Sequence, residues 1–427
     1  MKPKILIVGR VAWTETHSTL SSIFQNYPPD RLAYICIETK IPDFNRCANH
    51  FQISEYLLAK KLFLVKTPIG RRRIADNVIC STDYVEKNET SIGGFIRKHR
   101  TSVFLYLREL LWYVSNWKTK ELREFIDDFS PDYLFLLGDP LPLMSRLEAY
   151  VLGVVKRPAC VFIMDDIWTY KNGLSLYRCL LRRQIRKLIP RCDYHFVISE
   201  LMKQEYDRTF GIDSTILTKG VAPHYGLAHY TPHNPIRFIY VGQLIYGRYN
   251  SLLKVAEAIE RLNAPGSNSA ELHIYTQTIM EDKIMHKLTS FQCVKMHKPV
   301  PYTQVSQILS DADVVLFLES LERKHRYTAW LSFSTKITDY LECGKCIFAV
   351  GDASIAPIAY LREHNAAVVC DSYDIIGEKI DLLMRKPDLI QRYAANAYGL
   401  GQKKHSNTLM QSRMNHMLDV LGEVDKR

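Results

Sequence analysis

Short apolar runs of strand length recur along the chain, and stretches of helical period separate most of them in both halves. The runs cover residues 4–8, 32–37, 133–137, 160–164 and 194–198 in the first half, and 236–241, 271–275, 293–296, 314–318 and 346–350 in the second. Strands that are buried on both faces show continuous apolar runs, so this order predicts parallel sheets covered by helices. Two such series in 427 residues predict an α/β protein with two doubly wound domains.

The boundary between the two series is expected near residues 221–235. This segment contains three His, three Pro and one Gly, and it has no apolar period. We therefore expect an N-terminal domain over 1–225 and a C-terminal domain over 235–400. The remaining residues, 401–427, are expected to form a helix that packs back towards the N-terminal domain.

The charge balance indicates what the protein contacts. The chain has 56 Lys and Arg against 45 Asp and Glu, a formal net charge of +11. This excess predicts contact with phosphate, on nucleotides, nucleic acid or anionic lipid headgroups. No recognised nucleic-acid-binding module is present, so we expect no nucleic acid partner. The N-terminus lacks the pattern of a signal peptide, and no run approaches the ~18–20 apolar residues of a spanning helix. We expect a cytoplasmic protein, peripheral on the inner face of the membrane.

A glycine and an arginine follow the first strand of the second half. Gly242 ends the run 236–241, and Arg248 follows six residues later, just ahead of a helical stretch. A glycine at the end of a strand lets a ligand approach the backbone, and a cation at the start of a helix can bind a phosphate. The alternative is an ordinary strand, turn and helix with a solvated arginine.

The second candidate binding element lies in the sequence SFSTKITDYLECG. Ser334 and Thr335 precede a helix whose free N–H groups and positive dipole end are suited to a diphosphate. Lys336 lies in the first turn, where a cation opposes the dipole unless an anion compensates it. Asp339 lies one turn further, where it could accept hydrogen bonds from ribose hydroxyls. The alternative is a capped helix with a surface lysine.

These motifs resemble the donor-binding half of GT-B glycosyltransferases. The order VGQL and GR, then ELHIY, then STKITDYLECGKCIFAVGD is similar to glycosyltransferase family 4 and its capsule and lipopolysaccharide relatives. In that resemblance Asp339 takes the place of the second Glu of the family's Glu-x7-Glu element, a ribose ligand. Gln243 stands where an Arg is usual, and Leu331 where the first Glu is usual.

The resemblance implies a GT-B fold, with two Rossmann-like domains that face each other across a cleft. It also implies an enzyme that transfers a sugar from a nucleotide-diphosphate sugar to a glycan or lipid-linked acceptor in surface polysaccharide biosynthesis. The family transfers with retention and needs neither a metal nor a cofactor. The resemblance places the donor in the second domain and the acceptor in the first.

The first half contains a candidate catalytic pair. Asp165 and Asp166 follow the run 160–164, in the region where the family has a His or Asp that faces the sugar. Adjacent residues on a strand point to opposite faces, so only one of the two is expected to face the ligand. The alternative is an aspartate that caps the next turn.

A basic stretch covers residues 171–191, which contain seven Lys or Arg and no Asp or Glu. Its apolar residues recur at near-helical spacing, so we expect Leu181 and Leu188 to turn inward. The opposite face is expected to contact an anionic membrane surface through four cations, Arg182, Arg183, Arg186 and Lys187. The alternative is a packed helix with a charged outer face.

Two other functions remain open from the sequence. Gln243 and Leu331 are compatible with a non-catalytic GT-B-like chain that binds nucleotide-sugar or glycan in a polysaccharide assembly complex. A nucleotide-sugar epimerase of the same fold is a third possibility. Cys343 and Cys346 form a C-x-x-C pattern, but no second pair lies at zinc spacing, so we expect buried apolar cysteines rather than a metal site.

Overall fold

The computed structural model describes residues 1–14, 17–62, 69–74, 102–169, 175–223, 231–263 and 269–426. The chain divides into two compact units. The first contains Met1–Leu217 and Gln411–Arg427, and the second contains Thr218–Met410. The division between Leu217 and Thr218 lies a few residues before the segment 221–235 in which the sequence analysis placed the boundary.

The first unit contains an eight-stranded sheet. Its strands are β1 (Ile5–Val8), β2 (Leu32–Cys36), β3 (Asn49–Ile53), β4 (Gly70–Ile74), β5 (Tyr133–Leu136), β6 (Ala159–Ile163), β7 (Tyr194–Val197) and β8 (Thr215–Ile216). Its helices are α1 (Ser18–Ile23), α2 (Glu55–Leu62), α3 (Ser102–Val114), α4 (Lys120–Phe129), α5 (Pro142–Val155), α6 (Ser175–Leu188) and α7 (Glu200–Phe210). The strand order is β4-β3-β2-β1-β5-β6-β7-β8, and every pair is parallel except β3 with β4.

The second unit contains a six-stranded, fully parallel sheet. Its strands are β9 (Ile236–Val241), β10 (Ala270–Tyr275), β11 (Val294–His297), β12 (Val314–Leu318), β13 (Cys346–Val350) and β14 (Val368–Cys370), in the order β11-β10-β9-β12-β13-β14. Its helices are α8 (Arg248–Leu262), α9 (Asp282–Thr289), α10 (Val305–Ser310), α11 (Arg323–Ala329), α12 (Thr335–Cys343), α13 (Ala356–Glu363), α14 (Ile376–Arg385) and α15 (Pro387–His405). A last helix, α16 (Asn407–Asp425), belongs to the first unit from Gln411 onward.

Ten of the fourteen strands lie where the apolar runs predict them, because the core strands are buried along their length, whereas β3, β4, β8 and β14 were not predicted. β1, β6, β12 and β13 are buried at every residue. β3 is a strand that the apolar pattern missed, because His50 and Gln52 interrupt it. Both polar side chains are buried and hydrogen-bonded to the carbonyls of Cys47 and Lys40, at 2.8 and 2.7 Å. The predicted α/β class with two doubly wound parallel sheets is confirmed.

The strand order determines where ligands can bind. In the second sheet β9 lies between β10 and β12. After β9 the chain continues to one side of the sheet, towards β10 and β11, and after β12 it continues to the other side, towards β13 and β14. The same reversal occurs in the first sheet, where β1 lies between β2 and β5. Open α/β sheets bind ligands in the crevice at such a reversal. No described helix is both long enough and apolar enough to cross a membrane.

Candidate functional site

Gly242 follows β9 and brings a lysine against the backbone. Its φ of +145° lies in the region that favours glycine. A Cβ at residue 242 would overlap with Nζ and lie 2.6 Å from Cε of Lys336. Any larger residue would therefore displace this flexible side chain. The group that approaches the backbone in the structure is thus a side chain of the protein, whereas the sequence analysis expected a ligand.

Arg248 begins α8 and is paired with a buried carboxylate. Its Nε donates to Oε2 of Glu319 at 3.0 Å, and a terminal nitrogen donates to Oε1 at 2.7 Å. Glu319 directly follows β12 and is 5% exposed. Burial acts to lower the pKa of Arg248, but Glu319 outweighs it and the pKa is raised. The solvated arginine of the alternative interpretation is therefore wrong, and Arg248 is an ordered cation at the carboxyl edge of the sheet.

Glu319 is a site residue that the sequence analysis did not identify. A signal for it was present, since a carboxylate that directly ends a fully apolar strand must find a partner at the sheet edge. Its partner is 71 residues away in sequence, so the pairing itself cannot be read from spacing.

The start of α12 has the expected N-terminal cap. The Ser334 hydroxyl accepts a hydrogen bond from the backbone N–H of Lys336 at 3.3 Å, and Thr335 is the first helical residue. Gly344, with φ of +60°, ends the helix in the left-handed conformation. A cap at one end and a glycine at the other delimit this nine-residue helix, as the sequence pattern predicts.

Lys336 is a partly buried cation at this edge of the sheet. Burial lowers its pKa to about 8, the positive charge of Arg248 adds to the shift, and the negative charges of Glu319 and Asp339 oppose it. Its Nζ lies 4.9 Å from the centroid of the Tyr240 ring. Among the described residues it forms no ion pair. Two cations and the positive end of a helix dipole therefore converge here, together with two carboxylates, Glu319 bound to Arg248 and Asp339 one turn along α12.

Asp339 already has a cationic partner. Its Oδ1 contacts Nζ of Lys219, which also lies 3.7 Å from Oε2 of Glu342 and 3.4 Å from the hydroxyl of Tyr302. Burial acts to lower the pKa of Lys219, but Asp339 is the first of several groups that raise it, and the pKa is raised. Lys219 is a second site residue that the sequence analysis missed, because it is 120 residues from Asp339.

The two positions that depart from the family pattern differ in their surroundings. Leu331 is 2% exposed and belongs to the core. Gln243 has an exposed side chain, and its backbone carbonyl accepts a hydrogen bond from the Tyr240 hydroxyl at 2.7 Å. Neither side chain supplies a charge to this edge of the sheet.

In the first unit, Asp166 has a structural role. Its Oδ1 accepts hydrogen bonds from the backbone N–H groups of Trp168 and Thr169 and from the hydroxyl of Tyr206, at 3.0, 2.9 and 3.0 Å. The Thr169 hydroxyl donates to the other oxygen. Asp166 is buried and fully engaged as a turn cap. Its assignment as a catalytic residue is therefore corrected in favour of the capping alternative.

Asp165 is the exposed member of the pair. Desolvation raises its pKa, while the charge of Arg10 opposes this and that of Asp166 adds to it. Arg10 follows β1 and donates from Nε to Oδ2 of Asp139, which follows β5, at 2.7 Å. Three charged side chains thus lie after β1, β5 and β6, at the carboxyl edge of the first sheet.

The helix α6 covers most of the predicted basic stretch, and residues 171–174 lie outside the described part. Leu181 and Leu188 are buried, as predicted. Arg182 and Arg186 stack on the Trp168 ring, with guanidinium carbons 4.9 and 5.1 Å from its centroid. Arg183, Arg186 and Lys187 are exposed, and Arg182 is half-buried. Only two of the four predicted membrane-facing cations, Arg183 and Lys187, are therefore without such a contact.

Cys343 and Cys346 are free thiols within the second unit, and burial raises the pKa of each. Among the described residues, no group of three or more His, Cys, Asp or Glu side chains is placed to hold a metal ion.

Comparison with solved structures identifies the fold. The chain is similar to HepE from Anabaena in complex with UDP and glucose, with a TM-score of 0.62, 10% identity, and coverage of 98% of this chain and 100% of that one. It is similar to sucrose-phosphate synthase from Thermosynechococcus elongatus, with a TM-score of 0.62, 8% identity, and coverage of 99% and 100%. It is also similar to a UDP-forming α,α-trehalose-phosphate synthase from Burkholderia vietnamiensis, with a TM-score of 0.58, 8% identity, and coverage of 98% of this chain and 99% of that one.

No family model matches the sequence, and no curated protein matches it. At 8–10% identity the likeness to these three structures concerns the fold. The expected GT-B class, with two Rossmann-like sheets covered by helices, is confirmed.

Proposed function

We propose that this chain is a glycosyltransferase that binds a nucleotide-diphosphate sugar at the carboxyl edge of its second sheet. The observation that carries the proposal is Lys336. A partly buried ammonium group beside Arg248, at the positive end of α12 and without an ion pair among the described residues, would be stabilised in its charged form by an added anion. A diphosphate supplies that anion at the position where GT-B folds leave a crevice.

Each residue of this edge has a role in the proposal. Lys336 and the N–H groups at Ser334 and Thr335 bind the diphosphate. Arg248 also attracts the diphosphate, but more weakly, because Glu319 neutralises part of its positive charge. Gly242 leaves room beside the backbone for the Lys336 side chain. Asp339 binds the ribose hydroxyls, with Lys219 holding its carboxylate in place.

The proposed residues assist sugar transfer by stabilising the negative charge of the leaving diphosphate. When the sugar leaves, negative charge develops on the diphosphate, and fixed cations aimed at that charge stabilise the transition state. Lys336, Arg248 and the helix dipole would do this without a metal, and no cofactor is part of the proposal. In the first unit we propose Asp165 as the catalytic carboxylate, because Asp166 is engaged in the turn.

The finer assignments rest on the sequence resemblance to family 4. They are transfer with retention, a glycan or lipid-linked acceptor, and a role in surface polysaccharide biosynthesis. They include attachment to the inner face of the membrane through anionic lipid, for which Arg183 and Lys187 on α6 are exposed and available.

The test is nucleotide binding measured by calorimetry with UDP, UMP and uridine, because HepE, one of the similar structures, was solved with UDP. A charge-assisted contact contributes ~1.5–3 kcal/mol, so Lys336→Ala should weaken UDP binding roughly ten- to a hundredfold and leave uridine binding unchanged. Arg248→Ala should have a smaller effect of the same kind. Lys254→Ala, an exposed lysine on α8, is the matched control. Equal UDP affinity in all four proteins would refute the assignment.

A non-catalytic binding protein is the second candidate, and Leu331 favours it. A buried leucine stands where the family has a carboxylate, so one group of the family's active site is replaced by an apolar one. Incubation with radiolabelled nucleotide-sugars and a panel of acceptors separates the two. Glycosylated acceptor indicates the transferase, binding without turnover indicates the binding protein, and an isomerised donor in the absence of acceptor indicates an epimerase.

A further inference from the structure

The helix α3 buries Trp112 but presents a row of apolar side chains on its exposed face. Over residues 105–114 its exposed side chains are all apolar: Leu107, Leu110, Tyr113 and Val114, with exposed fractions of 53–77%. Residues 107, 110 and 114 recur at helical spacing, so they form one stripe along the helix. A stripe of this kind normally faces the core.

The charged residues of α3 point inward instead. Arg108 donates two hydrogen bonds to the carboxylate of Glu55, at 2.7 and 3.0 Å. Glu109 is 7% exposed and accepts a hydrogen bond from Arg146 at 2.8 Å. These ion pairs fix the rotation of the helix, because turning the apolar stripe inward would separate both pairs. The outward apolar face is therefore built into the fold of this unit.

The neighbouring helix α6 extends the same surface. The Tyr106 hydroxyl of α3 accepts a hydrogen bond from the backbone N–H of Tyr177 of α6 at 3.1 Å, and their ring centroids are 6.0 Å apart. Leu176 and Leu180 on α6 are exposed at 61% and 38%. Twelve large apolar side chains are exposed in the described part of the chain, and six of them lie on these two helices.

The charges around this surface identify its occupant. The helix α6 contains no acidic residue, and Arg183 and Lys187 are exposed on it. The occupant must offer both an apolar interior and negative charge at its boundary. An anionic lipid leaflet has both, since its headgroups carry the charge and its acyl chains lie directly beneath.

We propose that α3 inserts its apolar face, formed by Leu107, Leu110, Tyr113 and Val114, into one leaflet of an anionic bilayer, while Arg183 and Lys187 of α6 contact the headgroups. This deepens the membrane attachment in the proposed function and names α3 as the inserting element. It does not depend on which sugar is transferred or on any transfer at all.

Insertion makes a prediction that electrostatic attachment alone does not. Salt screens exposed charges beyond about 10 Å at 0.1 M, whereas burial of apolar surface in lipid is not screened. The wild-type protein should therefore retain part of its vesicle binding at 1 M salt. This differs from the behaviour expected of a purely basic helix, which releases completely.

The experiment is flotation of the full chain with vesicles of phosphatidylglycerol and phosphatidylcholine, at 0.1 and 1 M NaCl. Leu107→Gln/Leu110→Gln should lose about tenfold or more in affinity at both salt concentrations. Its control, Ile41→Gln/Ile279→Gln, changes two exposed isoleucines elsewhere and should bind as wild type. Arg183→Gln/Lys187→Gln should lose roughly thirtyfold at low salt only, at ~1 kcal/mol per charge. Lys283→Gln/Lys295→Gln removes the same charge from exposed positions in the second unit as its control.

Two results would overturn the proposal. One is equal vesicle binding by Leu107→Gln/Leu110→Gln and by its control. The other is a wild-type dimer that this variant converts to a monomer with no change in vesicle binding, which would make the surface a contact between two copies. UDP binding, measured on the same preparations, reports folding and the donor site separately, so a failure of the proposed transferase function remains distinguishable.

Discussion

The guanidinium of Arg248 is bound to the carboxylate of Glu319 through two hydrogen bonds, at 3.0 and 2.7 Å. The pair stands at the carboxyl ends of β9 and β12, where the proposed diphosphate binds. Glu319 therefore cancels much of the charge that Arg248 could offer a ligand, and Lys336 becomes the stronger of the two phosphate ligands.

Glu319→Gln should increase UDP affinity severalfold while it destabilises the fold. It removes the negative charge nearest the proposed diphosphate, and it leaves Arg248 without its counter-ion. Loss of one partner of a largely buried pair costs about 2–4 kcal/mol in the free energy of unfolding. Calorimetry with UDP and chemical denaturation measure the two effects.

The control is Glu257→Gln on α8, where the carboxylate pairs with Lys254 and Lys287 at the surface. It should change neither the free energy of UDP binding nor the free energy of unfolding by more than about 1 kcal/mol. Weaker UDP binding by the Glu319 variant would contradict this arrangement.

Lys336→Met should stabilise the ligand-free protein at pH 7. The folded state holds the pKa of Lys336 at about 8, below its ordinary value of 10.5, so the folded state disfavours the charged form. The cost is fully present below pH 8 and disappears above pH 10.5, where the amine is neutral in both states. We expect a gain of about 2–3 kcal/mol at pH 7 that shrinks steadily between pH 8 and 10. Urea denaturation at several pH values measures it, with Lys283→Met as the exposed control. A loss of stability at pH 7 would show that Lys336 has a counter-ion.

UDP binding should be coupled to protonation of Lys336. A diphosphate beside the amine stabilises its charged form and raises the pKa, so at pH 8.5 binding should take up roughly half a proton or more. At pH 6 the amine is already charged and the uptake should vanish. Calorimetry in buffers of different ionisation enthalpy measures the proton count. The same uptake in Lys336→Met would assign the proton to another group.

Substitutions of Lys219 and Asp339 should have coupled effects on the free energy of unfolding. In a double-mutant cycle of Lys219→Met and Asp339→Asn, the double variant should lose about 1–3 kcal/mol less stability than the sum of the single variants. Each single change leaves one charge of this pair behind, whereas the double change removes both and leaves only Glu342, whose Oε2 lies 3.7 Å from Nζ of Lys219. Asp339→Asn should also weaken binding of UDP and uridine alike, because the proposed contact is with the ribose. Additive stability losses would mean that the ion pair does not form in solution.

Substitution of Asp166 should lower stability, whereas substitution of Asp165 should lower sugar transfer. Asp166→Asn disturbs a buried carboxylate that accepts four hydrogen bonds, so it should lower the free energy of unfolding by about 2–3 kcal/mol. Asp165→Asn should leave stability within about 1 kcal/mol of wild type and reduce sugar transfer. Thermal unfolding and turnover with labelled donor measure the two. The reverse pattern would return the catalytic role to Asp166.

Features that depend on neighbouring residues could be predicted from the amino-acid sequence. Buried strands appear as unbroken apolar runs, so the two parallel sheets could be predicted. The cap at Ser334 and the termination at Gly344 follow from backbone geometry that only a few residue types satisfy. The glycine after β9 and the uncompensated lysine in the first turn of α12 were local anomalies, and both mark the candidate site.

The pairing of groups that are distant in sequence depends on the three-dimensional fold. Glu319 pairs with Arg248 across 71 residues, and Lys219 pairs with Asp339 across 120. Strand order brings these groups to one sheet edge, and sequence spacing carries no information about that order. The rotation of α3 is of the same kind. Its apolar stripe faces outward while Arg108 pairs with the distant Glu55, because an unpaired charge in the core would cost more than exposed leucines.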